Sequence, residues 1–217
     1  LSQAPLETLN ISSEPVKLDA DEDHRNKEWI MARSSLQNQW RILSNFIIAM
    51  WAVELFDFFL LDGRLDYLGI RPRQLFGLAG IPLCPFLHGG FGHLMANTFS
   101  FLALGWLVMW RRTGDFAIVT AYGILIGGLG IWIFGKTGSV HVGASGVIFS
   151  YLGFLLFRGY YERRFSSILF SLFIGFLYSG MLWGILPGRP GVSWEGHLFG
   201  FIGGVMAAKK LARGKRQ

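Results

Sequence analysis

From about residue 42 to residue 208 the chain alternates long apolar runs with short charged, glycine-rich or proline-bearing stretches. Runs of this kind predict membrane-crossing helices, because a hydrocarbon core about 30 Å thick needs roughly twenty apolar residues at 1.5 Å each. Six are expected, over about residues 42–61, 93–110, 116–134, 145–157, 165–187 and 194–208. Ahead of them the pattern changes: Glu14, Lys17, Asp19, Asp21, Glu22, Asp23, Arg25 and Lys27 interrupt the first forty residues, and a signal peptide is not expected there. That segment reads as a soluble arm, disordered at its start and helical from about residue 28 to 39, where Trp29, Ile30 and Leu36 recur at helical spacing. The fold class expected is an all-α polytopic membrane protein. It has a polar cytoplasmic arm over residues 1–40, a six-helix bundle over 41–210 and a basic cytoplasmic tail over 211–217.

Composition agrees with a lipid environment: 52% of the residues are hydrophobic, with 20 Phe and 8 Trp, and the mean hydropathy is +0.40. A net charge of +6 and a pI near 9.7 would suit a nucleic-acid partner. The basic residues, however, cluster between apolar runs, where the positive-inside rule accounts for them, so no nucleic acid is expected. Of the twenty Lys and Arg, only Arg64, Arg71, Arg73, Lys136 and Arg189 fall on one side of the expected bundle. The other fifteen put both termini in the cytoplasm, and the second, fourth and sixth helices then all start on the far side. His93, Asn97, Ser145 and His197, each near the start of one of these helices, should meet in the same leaflet. Glu54 and Asp57 lie inside the first run, where a structural pairing near the helix end is expected. Cys84, the single cysteine, permits no intrachain disulfide and suits a small apolar filler.

Depth adds a second argument. Residues 143–157 make about 22 Å of helix, short of a core of about 30 Å, so Ser145 should start below the membrane surface. The irregular stretch 135–142 before it would then dip into the protein, which is tolerated only in a protein-lined or wet cavity. Gly146, Ser150 and Gly153 form one small-residue stripe, and Gly196, Gly200 and Gly204 form another, a pattern that lets two helix backbones approach closely. Approach of these helices would bring Ser145 toward His197. A serine hydroxyl needs a neighbouring base before it is a useful nucleophile, and a neutral imidazole serves near neutral pH. His93 and Asn97, one helical turn apart, and the backbone N–H of Ser145 are the expected donors to an oxyanion. Glu195 is not placed as a third member, since residues two apart on a helix do not face each other. His88 is expected to order its loop through hydrogen bonds. No cofactor and no metal is expected: His88, His93, His141 and His197 lack a His-Glu-x2-His helix and an acidic ligand set.

Three ordered elements resemble the rhomboid family of intramembrane serine proteases. They are His88-Gly89-Gly90-Phe91-Gly92-His93-Leu94-Met95-Ala96-Asn97, Gly143-Ala144-Ser145-Gly146, and Gly196-His197-Leu198-Phe199-Gly200 followed by Gly204. The resemblance implies a six-helix core with Ser145 as nucleophile, His197 as base and His93, Asn97 and the Ser145 N–H as oxyanion hole. Gly143, Gly146, Gly200 and Gly204 are the glycines of the matching motifs, and Phe149 holds the aromatic position expected to pack on the catalytic histidine, here without a hydroxyl. It further implies transmembrane protein substrates within a lipid bilayer, and the expected location is a bacterial plasma membrane. One departure marks a different subgroup: residues 71–81 stand where many members carry a Trp-Arg pair. The alternative reading is a proteolytically silent rhomboid-like chaperone or adaptor.

Overall fold

The computed structural model describes residues 20–188 and 191–214, and its regular structure there is helical throughout apart from one isolated bridge. Backbone proximity divides the chain into Leu1–Gln37 and Asn38–Gln217. The expected disorder at the chain's start, and the last residues of the basic tail, lie outside the described residues. Helix α1 spans Ala20–Phe56, beginning before the start anticipated near residue 28. It passes into a π turn, Asp57–Leu61, and stops at Asp62 and Gly63, both in the left-handed region. The Asp57 carboxylate accepts the Leu65 N–H at 2.9 Å and so anchors the chain where it leaves the helix, the structural role expected of it.

After short helical turns between residues 64 and 86 come α2 (Phe91–Met109) and α3 (Asp115–Phe134), then α4 (Ser145–Glu162), α5 (Phe165–Leu177) and α6 (Trp194–Arg213). Among the described residues three helices are long and apolar enough to cross a bilayer: Glu28–Leu61, Phe91–Met109 and Asp115–Phe134. A fourth is reached if Phe165–Leu177 and Ser179–Ile185, bent by 69° at the break between them, count as one span. Such a set is consistent with a multi-pass membrane protein. The run expected as one helix over 165–187 is therefore broken, and the one over 116–134 carries a π turn at Gly123–Gly127. At its far end α6 continues to Arg213, past the expected end at 208.

Helix α4 is the centre of the packing. Val147, Ile148, Phe149, Tyr151, Leu152, Phe154 and Leu155 are all buried, against Leu94, Phe101 and Leu104 of α2, Val119 of α3 and Ala207 and Ala208 of α6. Its glycines and those of α6 account for the closest approach. A Cβ on Gly200 would collide with the Gly146 carbonyl, one on Gly204 with the Ser150 carbonyl, and one on Gly153 with the Phe201 carbonyl. With apolar lipid outside, such close contact between backbones is a main source of helix association. Two polar pairs inside the bundle are satisfied locally: Ser150 Oγ donates to the Val119 carbonyl at 2.9 Å, and Thr120 Oγ1 bonds the Tyr151 hydroxyl at 2.8 Å. At the ends of α4 and starts of α3 and α5, Arg158 pairs with Glu162 at 2.9 Å and Asp115 at 3.5 Å, and Arg111 with Glu162 at 2.9 Å.

Candidate active site

Ser145 is the first residue of α4, reached through Gly143 at φ 116° and Ala144. Only glycine adopts that backbone without strain. It also leaves room: a Cβ on Gly143 would lie 2.6 Å from His93 Cε1 and 3.5 Å from Asn97 Nδ2. Thus the two side chains one turn apart on α2 lie directly against the turn that presents the serine. The turn is tied from below by the Gly143 N–H, which donates to the Cys84 carbonyl at 2.9 Å. Cys84 itself is buried and free, as a small filler.

His197 sits in the first turn of α6. Its ring stacks on Phe149, with centroids 4.1 Å apart and planes 12° from parallel. Its Nδ1 lies 2.9 Å from the Gly184 carbonyl, on the short turn Trp183–Ile185. A carbonyl only accepts, so Nδ1 carries the proton and the neutral ring keeps its lone pair on Nε2. This carbonyl holds the tautomer that a carboxylate holds in a three-membered triad.

A cavity of about 760 Å³ joins these groups. Ser145, His197, His93 and Asn97 all line it, with Ser139, His141 and Ser193 on its polar wall. A water-sized void of about 20 Å³ lies on the other flank of Ser145, toward Gly146 and Gly196. Asn97 is 5% exposed, yet its Nδ2 has no hydrogen-bond partner among the described residues. A buried amide donor left unsatisfied is costly, at about 1–3 kcal/mol, and at the wall of a cavity it is a donor awaiting an acceptor.

The loop before Ser145 is fastened on two sides. His141 forms the isolated antiparallel bridge with Ile70, and its ring nitrogens bond Ser139 Oγ and Ser193 Oγ, each at 2.7 Å. Burial pushes the His141 pKa down, opposed by nearby Glu195, so the ring works as a neutral strut. Arg73 reaches the same loop, donating to the carbonyls of Ile133 at 2.7 Å and Gly135 at 2.8 Å and to Thr137.

His88 is 1% exposed and edge-on to His93 at 5.3 Å. Burial lowers its pKa to about 4, with His93 adding to the effect and the Phe86 backbone acceptor opposing it, so it packs as an uncharged ring beside its own loop. Gly184, Ser139 and Ser193 were not singled out from the sequence. Gly184 acts through its backbone, which leaves no signature beyond a glycine in an apolar run ahead of Pro187. The described residues hold no group of three or more His, Cys, Asp or Glu side chains able to bind a metal ion.

Comparison with known proteins bears on the same elements. The chain is 42% identical over 180 residues to "Uncharacterized protein Rv1337" of Mycobacterium tuberculosis, covering 79% of this chain and 75% of that protein. "Uncharacterized protein ML1171" of Mycobacterium leprae is 41% identical over 180 residues, 79% of this chain and 71% of its own. "Putative rhomboid protease YdcA" of Bacillus subtilis is 32% identical over 122 residues, 55% of this chain and 60% of its own. Residues 74–214, which include Ser145, His197, His93 and Asn97, match the Rhomboid domain family. The chain belongs to the rhomboid family.

Proposed function

We propose that this protein is an intramembrane serine endopeptidase that cleaves transmembrane segments of membrane proteins with a Ser145–His197 dyad. The observation that carries the reading is the single cavity lined by Ser145, His197, His93 and Asn97, with the histidine tautomer fixed from behind and an amide donor unsatisfied at its wall. In the first step His197 Nε2 takes the Ser145 hydroxyl proton as Oγ attacks the scissile carbonyl carbon. The negative charge that develops on the carbonyl oxygen is met by Asn97 Nδ2, by His93 and by the Ser145 N–H at the start of α4. Collapse breaks the C–N bond, the proton on His197 passes to the leaving amine, and an acyl ester remains on Ser145. Water, deprotonated by the same imidazole, then releases the acid and restores the serine.

The reading includes six membrane spans, with α4 and α6 as the inner pair, and both termini on the cytoplasmic side of a bacterial plasma membrane. Low hydropathy suits an inner position: α4 ends on Arg158 and Glu162, and α6 carries four glycines and a basic last turn. Substrate helices are cut near their non-cytoplasmic ends, where weak helix formers let the backbone unwind and expose a carbonyl. The Bacillus subtilis relative named "Putative rhomboid protease YdcA" supports the same chemistry. The test is labelling of the purified protein by a fluorophosphonate, compared with Ser145→Ala. Label on the wild type alone is expected, with no effect of EDTA. Absence of label on a folded wild type would overturn the proposal and favour the silent adaptor.

A further inference from the structure

At the end of the bundle away from the dyad, α4 stops at Arg163 in the left-handed region and the chain turns directly into α5. Between the two helices runs an open groove of about 680 Å³. Its walls are Leu156 of α4 and Ile168, Leu172, Gly175 and Phe176 of α5, and its mouth is Tyr160 and Arg163. Gly175 contributes no side chain to the groove, and a Cβ there would lie 3.2 Å from Leu156 Cδ2. From Ile168 to Phe176 the groove follows the helix for about 12 Å, well under half of a hydrocarbon core of about 30 Å.

Tyr160 and Arg163 also line a second cavity of about 200 Å³, which they share with Lys209 and Arg213 of α6. The apolar slot and the cationic pocket therefore adjoin at Tyr160 and Arg163, and together they form one two-part depression. Among the described residues neither part is lined by a carboxylate. Arg163, Lys209 and Arg213 are exposed and make no ion pair among the described residues, in contrast to Arg111 and Arg158 on the neighbouring helix ends.

We propose that this depression is a binding site for one anionic phospholipid, the phosphate held by Arg163, Lys209 and Arg213 and one acyl chain lying in the α4–α5 groove. Charge complementarity selects the ligand. Three unpaired cations without an acid favour a phosphate, and the attached apolar slot at the same helix end favours a phosphate that carries a fatty chain. Guanidinium groups offer paired donors that match phosphate oxygens, and the Tyr160 hydroxyl adds a donor at the rim. The site touches none of the dyad residues.

Native mass spectrometry of the full chain, released from detergent and titrated with phosphatidylglycerol or phosphatidylcholine of equal chain length, tests it. One retained phosphatidylglycerol per chain is expected, in preference to phosphatidylcholine. Loss of each cation should weaken retention roughly fivefold, so Arg163→Gln, Lys209→Gln and Arg213→Gln together should abolish the preference. Leu172→Trp, which fills the groove from an exposed position, should lower retention of phosphatidylglycerol while the melting temperature stays unchanged. Equal retention of the two lipids, or a preference untouched by the triple substitution, would overturn the site. Displacement of the lipid by glycerol phosphate at equal concentration would also overturn it, in favour of a small-anion pocket. Because the readout is lipid mass, it is independent of whether Ser145 is catalytic.

Discussion

Replacing Gly184 by alanine tests whether a backbone carbonyl orients the base. The added Cβ would lie 3.0 Å from Phe149 Cζ and 3.3 Å from His197 Nδ1. Both contacts are tighter than ordinary packing, so either the stacked rings shift by a few tenths of an ångström or the turn Trp183–Ile185 retreats. Each response lengthens the 2.9 Å bond from Nδ1 to the Gly184 oxygen. A bond of this kind contributes about 0.5–1.5 kcal/mol net, which at 298 K is about two- to tenfold in rate if the productive tautomer depends on it. The assay is the second-order rate of fluorophosphonate labelling in detergent, which reports Ser145 activation without a known substrate. Gly180→Ala is the control, because its Cβ meets nothing within 4 Å on the same bent segment. Slower labelling for Gly184→Ala alone, with both variants melting like wild type, is expected. A Gly184→Ala rate equal to wild type would refute the orienting role.

Other outcomes follow from the same geometry. His197→Ala should abolish cleavage and labelling while the melting temperature holds, and Asn97→Ala should slow turnover by about 10²–10³, less than loss of either dyad member, because other oxyanion donors remain; cleavage of a coexpressed single-span substrate, read by immunoblot, checks both. Gly204→Ala should destabilise the fold by about 3 kcal/mol or more, since its Cβ meets the Ser150 carbonyl and the Phe154 nitrogen rather than a side chain that can move; Gly92→Ala, in open space, should melt like wild type. Asp66, in the loop after α1, has its pKa raised to about 6 by burial and then by Asp57. A raised carboxyl pKa means stability present below about pH 4 and lost as pH rises through about 6. Asp66→Asn should therefore melt above wild type at pH 7.5, with the gap closing toward pH 4; a gap constant over that range would count against the buried-carboxyl account.

Much of this site was legible because its parts are local and chemical. Gly143, Gly200 and Gly204 have to be glycine for backbone or steric reasons, and their spacing, coupled to a serine at one helix start and a histidine at the other, pointed to a tight helix pair. Three features were hidden. The π turn at Gly123–Gly127 and the break after Leu177 lie inside apolar runs whose hydropathy does not change, so periodicity gives no sign of them. Gly184 contributes an oxygen that every residue has, and only the folded path brings it to His197. His88 is dominated by packing, edge-on to His93 and buried, which the glycines around it do not announce.

The contact of α4 with α6 through bare main chain changes what laboratory evolution of this protein can reach. Where side chains set the gap between two helices, a library can widen or narrow it by trading volumes across the interface. Here the Gly146, Ser150 and Phe201 carbonyls are themselves the touching surface, and positions 153, 200 and 204 have no smaller substitute to explore. The spacing of the helix starts that carry Ser145 and His197 is thereby insulated from drift in the surrounding core. Diversity under the proposed chemistry belongs instead in the cavity wall formed by Lys136, residues 139–142 and residues 191–195, whose side chains border the cavity without setting the helix spacing.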